Sequence, residues 1–173
     1  HVQRVHASED GEDLYRAALA SGFEGVIGKR KDGKYETGRR SATWVKVKST
    51  QSGEFVVGGF TKGKGSREPL GALLLGTWSG GKLHYCGHVG SGFDERTLAQ
   101  VKERCDALTT AACPFAVEPD LHSPTTWIRP ELVAEVQFQE WTADAMLRAP
   151  VFLRLREDVD SRSVRRTGPN PGG

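Results

Sequence analysis

Apolar and polar positions change period several times along the chain, and the changes predict its elements. Over residues 8–20, Leu14, Ala17, Ala18 and Leu19 recur near helical spacing, acids occupy the first turn and Gly22 follows, which predicts a helix. Residues 24–30 and 44–48 predict two strands, the second alternating cleanly, with a polar excursion between them. Past a short polar joint at 49–53 the pattern turns β-rich, with strands over 55–60, 72–78 and 83–89 separated by glycine-bearing turns. Asp94 is placed to cap a helix whose Leu98, Val101, Cys105 and Leu108 share one face. A proline-containing loop over 113–130 leads to a strand near 132–141 and a short apolar segment at 151–155. The closing Arg/Gly/Pro-rich tail is expected to be flexible. Three meander strands, a helix, then one or two strands is the order of a small five-stranded OB-type barrel, so the chain reads as mainly β (α+β). A plain antiparallel sheet with one helix satisfies the same pattern.

Composition narrows the class. The 173 residues hold one full domain or two small ones, and 37% hydrophobic with 27% charged residues excludes a coiled coil, a collagen-like chain and a disordered acidic tail. There is no run of 18 apolar residues and no charged-then-apolar leader, so no membrane partner is expected. The net charge of +2 hides an asymmetry: residues 29–67 carry eleven Lys/Arg against Asp32, Glu36 and Glu54, a local +8, while the rest has 13 bases and 19 acids. Such a block fits either a polyanionic partner or a solvated basic surface.

Cys86, Cys105 and Cys113 are odd in number without paired spacing, which speaks against a disulfide framework and for a reducing cytoplasm. Strand alternation would put Lys82, His84, Cys86 and His88 on one face, with Leu83, Tyr85 and Val89 behind. Three local ligands beside a lysine make a poor zinc site, and an ordinary half-exposed strand is expected.

The strand Trp44–Lys48 carries the most chemistry. Period two puts Trp44, Lys46 and Lys48 on one face, with the two ammonium groups about 7 Å apart, a spacing that clamps a phosphate. Solvent-facing edge lysines would give the same pattern. Glu24, at the start of the preceding strand, suits a Mg²⁺ ion that keeps most of its waters. In an ideal strand Lys29 points away from Glu24.

These segments, Glu24-Gly25-Val26-Ile27-Gly28-Lys29-Arg30 and Trp44-Val45-Lys46-Val47-Lys48, resemble motifs IV and V of ATP-dependent DNA ligases. The likeness continues through Gly71-Ala72-Leu73-Leu74-Leu75-Gly76, Gly87-His88-Val89-Gly90-Ser91-Gly92-Phe93, Glu135-Val136-Gln137-Phe138-Gln139-Glu140-Trp141-Thr142 and Leu147-Arg148-Ala149-Pro150-Val151-Phe152-Leu153. The ordered set resembles the ligase domain of bacterial LigD-type enzymes of non-homologous end joining. The resemblance implies that residues 1–51 are the last portion of a nucleotidyltransferase (adenylation) domain, 52–158 an OB domain and 159–173 a tail. It implies Glu24 at a divalent metal (Mg²⁺ or Mn²⁺) and Lys46 and Lys48 at the adenylate α-phosphate, with Lys29 nearby. Arg156 and Asp158 fall on motif VI, which orients the ATP pyrophosphate; the family carries a lysine after that aspartate, where this chain has Val159. A surface ion pair is the plain alternative for those two residues.

Implied partners are nicked duplex DNA, the remainder of a ligase polypeptide with polymerase or nuclease modules, and an end-binding protein, in a bacterial, nucleoid-associated cytoplasmic setting. Lys62, Lys64 and Arg67, on a glycine-rich loop, suit the DNA backbone. The family's nucleophilic lysine sits in Lys-x-Asp-Gly. Arg30 occupies that position before Asp32-Gly33 and stays protonated, so no catalytic nucleophile is assigned and the chain is expected not to adenylate itself. Two other functions stay open: an OB module for single strands, using Phe60, Trp78 and Tyr85, and another covalent nucleotidyltransferase of the RNA-ligase or capping type.

Overall fold

The structure is a computed structural model that describes residues 10–21, 23, 25–31, 44–63 and 70–167. It divides the chain into two units, His1–Ser49 and Thr50–Gly173.

In the first unit, helix α1 spans Gly11–Ala20. The Asp10 carboxylate accepts from the backbone N–H groups of Glu12 and Asp13, both at 3.2 Å, which satisfies two of the donors a helix start leaves open. Strands β1 (Gly25–Lys29) and β2 (Trp44–Lys48) form an antiparallel ribbon with Val26 opposite Val47 and Ile27 opposite Lys46. The Tyr15 hydroxyl donates to the Lys48 carbonyl at 3.3 Å and ties α1 to β2. Ile27, Val45 and Val47 remain 60%, 55% and 41% exposed, and no residue of α1 is buried.

The second unit contains β3 (Gln51–Thr61), β4 (Ala72–Ser79), β5 (Lys82–Val89), α2 (Glu95–Ala107), the two-residue β6 (Thr109–Thr110), β7 (Thr125–Phe138) and β8 (Val151–Leu155). The ladder runs β5-β4-β3-β7-β6, all antiparallel, with β8 also on β7. Single backbone bonds carry the sheet round: Phe152 N–H donates to Ser91 C=O (2.9 Å) and Leu147 N–H to Cys86 C=O (2.8 Å). This is the OB-type arrangement. Asp94 caps α2 through a 2.7 Å bond from Thr97 N–H, and Val101 and Cys105 are its buried face.

Residues Phe55 to Phe60 are buried without interruption because both faces of β3 are covered. One core fills the barrel, with Phe55, Val57, Leu73, Leu75, Val136, Phe138 and Phe152. A second lies behind the sheet, with Val56, Leu74, Leu83, Phe115, Val133 and Val164. Phe115 is seated on Gly58 and Gly76: a Cβ at either would stand 2.5 or 2.8 Å from its ring.

Four expectations change. β3 begins at Gln51, inside the expected joint. The strand expected near 132 begins at Thr125 and runs through Pro130, where the pairing with β3 slips between Val57 and Gly59, and a proline is tolerated at such an irregularity. A further slip puts Cys86 as the extra residue of β5, which sends Cys86 and Val89 into the barrel core while Leu83 enters the second core and His88 stays exposed. The tail does not become flexible at 159. Ser161–Ser163 form a 3-10 turn, Val164 is 4% exposed, and Trp78 N–H donates to Val164 C=O at 3.0 Å.

Candidate nucleotide and nucleic-acid contacts

The ribbon of the first unit gathers three of the expected site residues. Directly opposed residues of an antiparallel pair share a face, so Lys48 shares one with Gly25, and Lys46 with Ile27. Lys29 lies opposite Trp44 and therefore falls on this same face, diagonal to Lys46. Lys29, Lys46 and Lys48 thus converge on one side of the ribbon. Gly25 lets β2 approach closely at Lys48: with φ +154, a Cβ there would stand 2.1 Å from Val47 O. A row of ammonium groups on hydrogen-bonded strands can neutralise a phosphate. Glu24, Lys64 and Arg67 lie outside the described residues.

The second unit holds the remaining residues at two separate places. Lys62 follows the end of β3, where its N–H donates to Pro124 C=O at 3.0 Å. It borders an open groove of about 620 Å³ with Gly71, His88, Ser91, Asp120 and His122. Arg156 belongs to the other end of β3. Its Nε and Nη2 grip both Asp158 oxygens at 2.8 and 2.7 Å, and Nη1 lies 2.8 Å from Glu54 and 3.4 Å from Glu135. Residues 54 and 62 are eight apart, at most about 26 Å at full extension, and stand towards opposite ends of β3, so the loop lysine and Arg156 occupy separate places.

Sequence reasoning placed Asp158 beside Arg156 but missed the two other carboxylates around it, Glu54 and Glu135. Glu54 and Glu135 are directly opposite on β3 and β7, and two like charges so placed repel. Arg156 bridges them, while Arg154 donates to Glu135 at 2.7 Å. The Arg156 guanidinium holds the Asp158 carboxyl down at about 2, and Arg154, then Arg156, lower that of Glu135. Arg156 is itself raised, chiefly by its bonds to Asp158. A usable signal was the spacing of Arg154 and Arg156, which puts two guanidiniums on one face beside β7.

The aromatics considered for base stacking are engaged elsewhere. Phe60 is 5% exposed in the barrel core, Tyr85 packs edge-on against Phe115, and Arg162 lies over the Trp78 ring. Among the described residues no group of three His, Cys, Asp or Glu could hold a metal ion. No helix among them is long and apolar enough to cross a membrane.

An OB-type barrel preceded in sequence by a lysine-faced β-ribbon defines a two-part OB-fold protein with its densest candidate chemistry ahead of the barrel. The family model for the "ATP dependent DNA ligase C terminal region" matches residues 66–159, and that for the "ATP dependent DNA ligase domain" matches residues 1–48. The chain belongs to the ATP-dependent DNA ligase family. It is 42% identical over 171 residues to the multifunctional non-homologous end joining protein LigD of Pseudomonas aeruginosa, covering 96% of this chain and 20% of that protein. The corresponding figure for LigD of Mycobacterium bovis is 40% over 158 residues, covering 90% of this chain and 21% of the relative. The chain therefore spans about a fifth of these relatives. The crystal structure of the ligase domain from M. tuberculosis LigD superposes with a TM-score of 0.62 at 38% identity, covering 92% of this chain and 52% of that one. A mycobacterial DNA ligase D complexed with ATP and MES gives 0.63 at 39%, covering 91% and 51%.

Proposed function

We propose that the chain serves ATP-dependent sealing of DNA breaks in non-homologous end joining, as the portion of a LigD-type polypeptide that holds the adenylate phosphate and the DNA backbone. The observation that carries this reading is the convergence of Lys29, Lys46 and Lys48 on one ribbon face, in the segment that matches the ligase domain model.

Sealing requires three phosphoryl steps: a lysine amine attacks the ATP α-phosphorus and releases pyrophosphate, the adenylate passes to the DNA 5′-phosphate, and the 3′-hydroxyl displaces AMP. The protein contributes positioning and charge neutralisation. In this reading Lys46 and Lys48 hold the α-phosphate oxygens, Lys29 adds positive charge at their margin, and Lys62, with Lys64 and Arg67, holds the DNA backbone. Arg156 meets the pyrophosphate only by exchanging at least one carboxylate for a phosphate oxygen. Glu24 is assigned to Mg²⁺ or Mn²⁺; a single carboxylate suffices because Mg²⁺ keeps its waters, and the ion would supply neutralisation of phosphate charge. The setting is bacterial and nucleoid-associated, with polymerase or nuclease modules and an end-binding protein as partners.

Labelled ATP with Mg²⁺ and equilibrium DNA binding test the reading together. These 173 residues contain no Lys-x-Asp-Gly, so no acid-stable AMP adduct should form on them, and nicked duplex should bind more tightly than oligo-dT. An AMP adduct on the chain, or a preference for oligo-dT, overturns it.

A further inference from the structure

The described arginines of the second unit differ in their partners. Arg104, Arg129, Arg148, Arg154 and Arg156 are each engaged by a carboxylate, from Glu157, Glu131, Glu140, Glu135 and Asp158 respectively. Arg162 and Arg165 are not: both are exposed, and neither has a carboxylate within ion-pair distance among the described residues. Arg162 lies over the Trp78 ring at 5.6 Å, and Arg165 donates to the Arg162 carbonyl.

The segment presenting them is built into the fold. Asp160 accepts from Arg162 N–H at 2.9 Å, Val164 is buried in the second core, and Arg165 bridges in parallel to Trp78. A single parallel bridge therefore sets the strap beside β4, with Arg162 and Arg165 both exposed. Arg166 follows, with its guanidinium 5.3 Å from the Trp141 ring. A guanidinium stacked on an indole has fewer rotamers to lose on binding and keeps its edge N–H groups available.

We propose that the Arg162–Arg165 strap is a second contact surface for the nucleic-acid backbone, separate from the Lys62 loop and gripping phosphates through two un-neutralised guanidiniums. A contact made to phosphate oxygens is independent of sequence. The inference rests on the DNA-binding part of the function proposed above and assigns to that binding a surface the ligase motifs do not cover.

The test is binding of the 173-residue chain to a fluorescein-labelled nicked duplex across a salt series. R162Q/R165Q should weaken binding about tenfold at low salt and reduce the slope of log K against log salt by about 1.8, or about 0.9 for each phosphate that the variant no longer neutralises. R162K/R165K, which keeps the charge, should retain the wild-type slope, and so should R148Q, which removes a paired arginine. An unchanged slope in R162Q/R165Q overturns the strap alone. A slope in R162K/R165K reduced as far as in the glutamine variant also overturns it, because packing rather than charge would then be responsible. A wild-type chain that binds no duplex overturns the DNA reading, and the strap with it.

Discussion

The two units differ in where their stability and their candidate chemistry reside. Every buried hydrophobic residue among the described positions lies in the second unit, which has an apolar core on each side of its sheet. Among its described residues the first unit has one helix and a two-stranded ribbon whose Ile27, Val45 and Val47 are exposed. An isolated two-stranded ribbon is marginal in water. Yet that ribbon carries three lysines on one face, whereas the barrel's most elaborate charged group, Arg156 with its carboxylates, is largely self-neutralised. The barrel holds the apolar packing, and the ribbon holds the proposed nucleotide contacts.

The difference can be broken most sharply by core truncation. Phe55→Ala, which removes a ring packed on Phe138 and Trp141, should cost the second unit about 3–5 kcal/mol, read by urea denaturation. Ile27→Ala in the ribbon should stay within about 0.5 kcal/mol. Similar losses from both would mean that the ribbon hides a core of its own.

Glycine substitutions should sharpen the contrast at smaller amplitude. Gly58→Ala drives a methyl against Phe115 and should cost about 1–3 kcal/mol by overpacking. Gly11→Ala, at the first position of α1 with nothing within 4 Å of the added atom, should be neutral or slightly stabilising, by up to about 1 kcal/mol. Thermal melts of both variants check this.

Acid should produce the smallest effect, confined to the second unit. Asp158 sits at about 2 in the folded chain against an unfolded value of about 3.9, and Glu135 is lowered as well. The unfolded chain therefore binds more protons in that window. The stabilisation is complete above about pH 5 and is lost as pH falls through about 4 towards 2. Asp158→Asn should flatten that acid limb in pH-dependent melts; an unchanged limb would remove Asp158 from the linkage.

How legible these features were in the sequence depended on how local their causes are. Helix α2 could be read because its cap Asp94 and its inward Val101 and Cys105 are set by spacing alone. The long β7 could not, because Pro130 reads as a loop until pairing with β3 shows the slip that accommodates it. The strap at 159–167 looked like tail because its arginines and serines conceal its main apolar anchor, Val164, which is held beside Trp78, a residue 86 positions earlier. Lys46 and Lys48 sharing a face followed from period two. That Lys29 joins them required the β1–β2 register, and the pairing of Glu54 with Glu135 across β3 and β7 required another.

The lysine face is tested most directly by nick sealing with the complete ligase polypeptide carrying Lys46→Ala and Lys48→Ala, measured beside the urea midpoint of its barrel. Sealing should fall by about 10²–10³-fold while the midpoint stays at its wild-type value. Wild-type sealing by the double variant would contradict the assignment of these lysines to the adenylate phosphate.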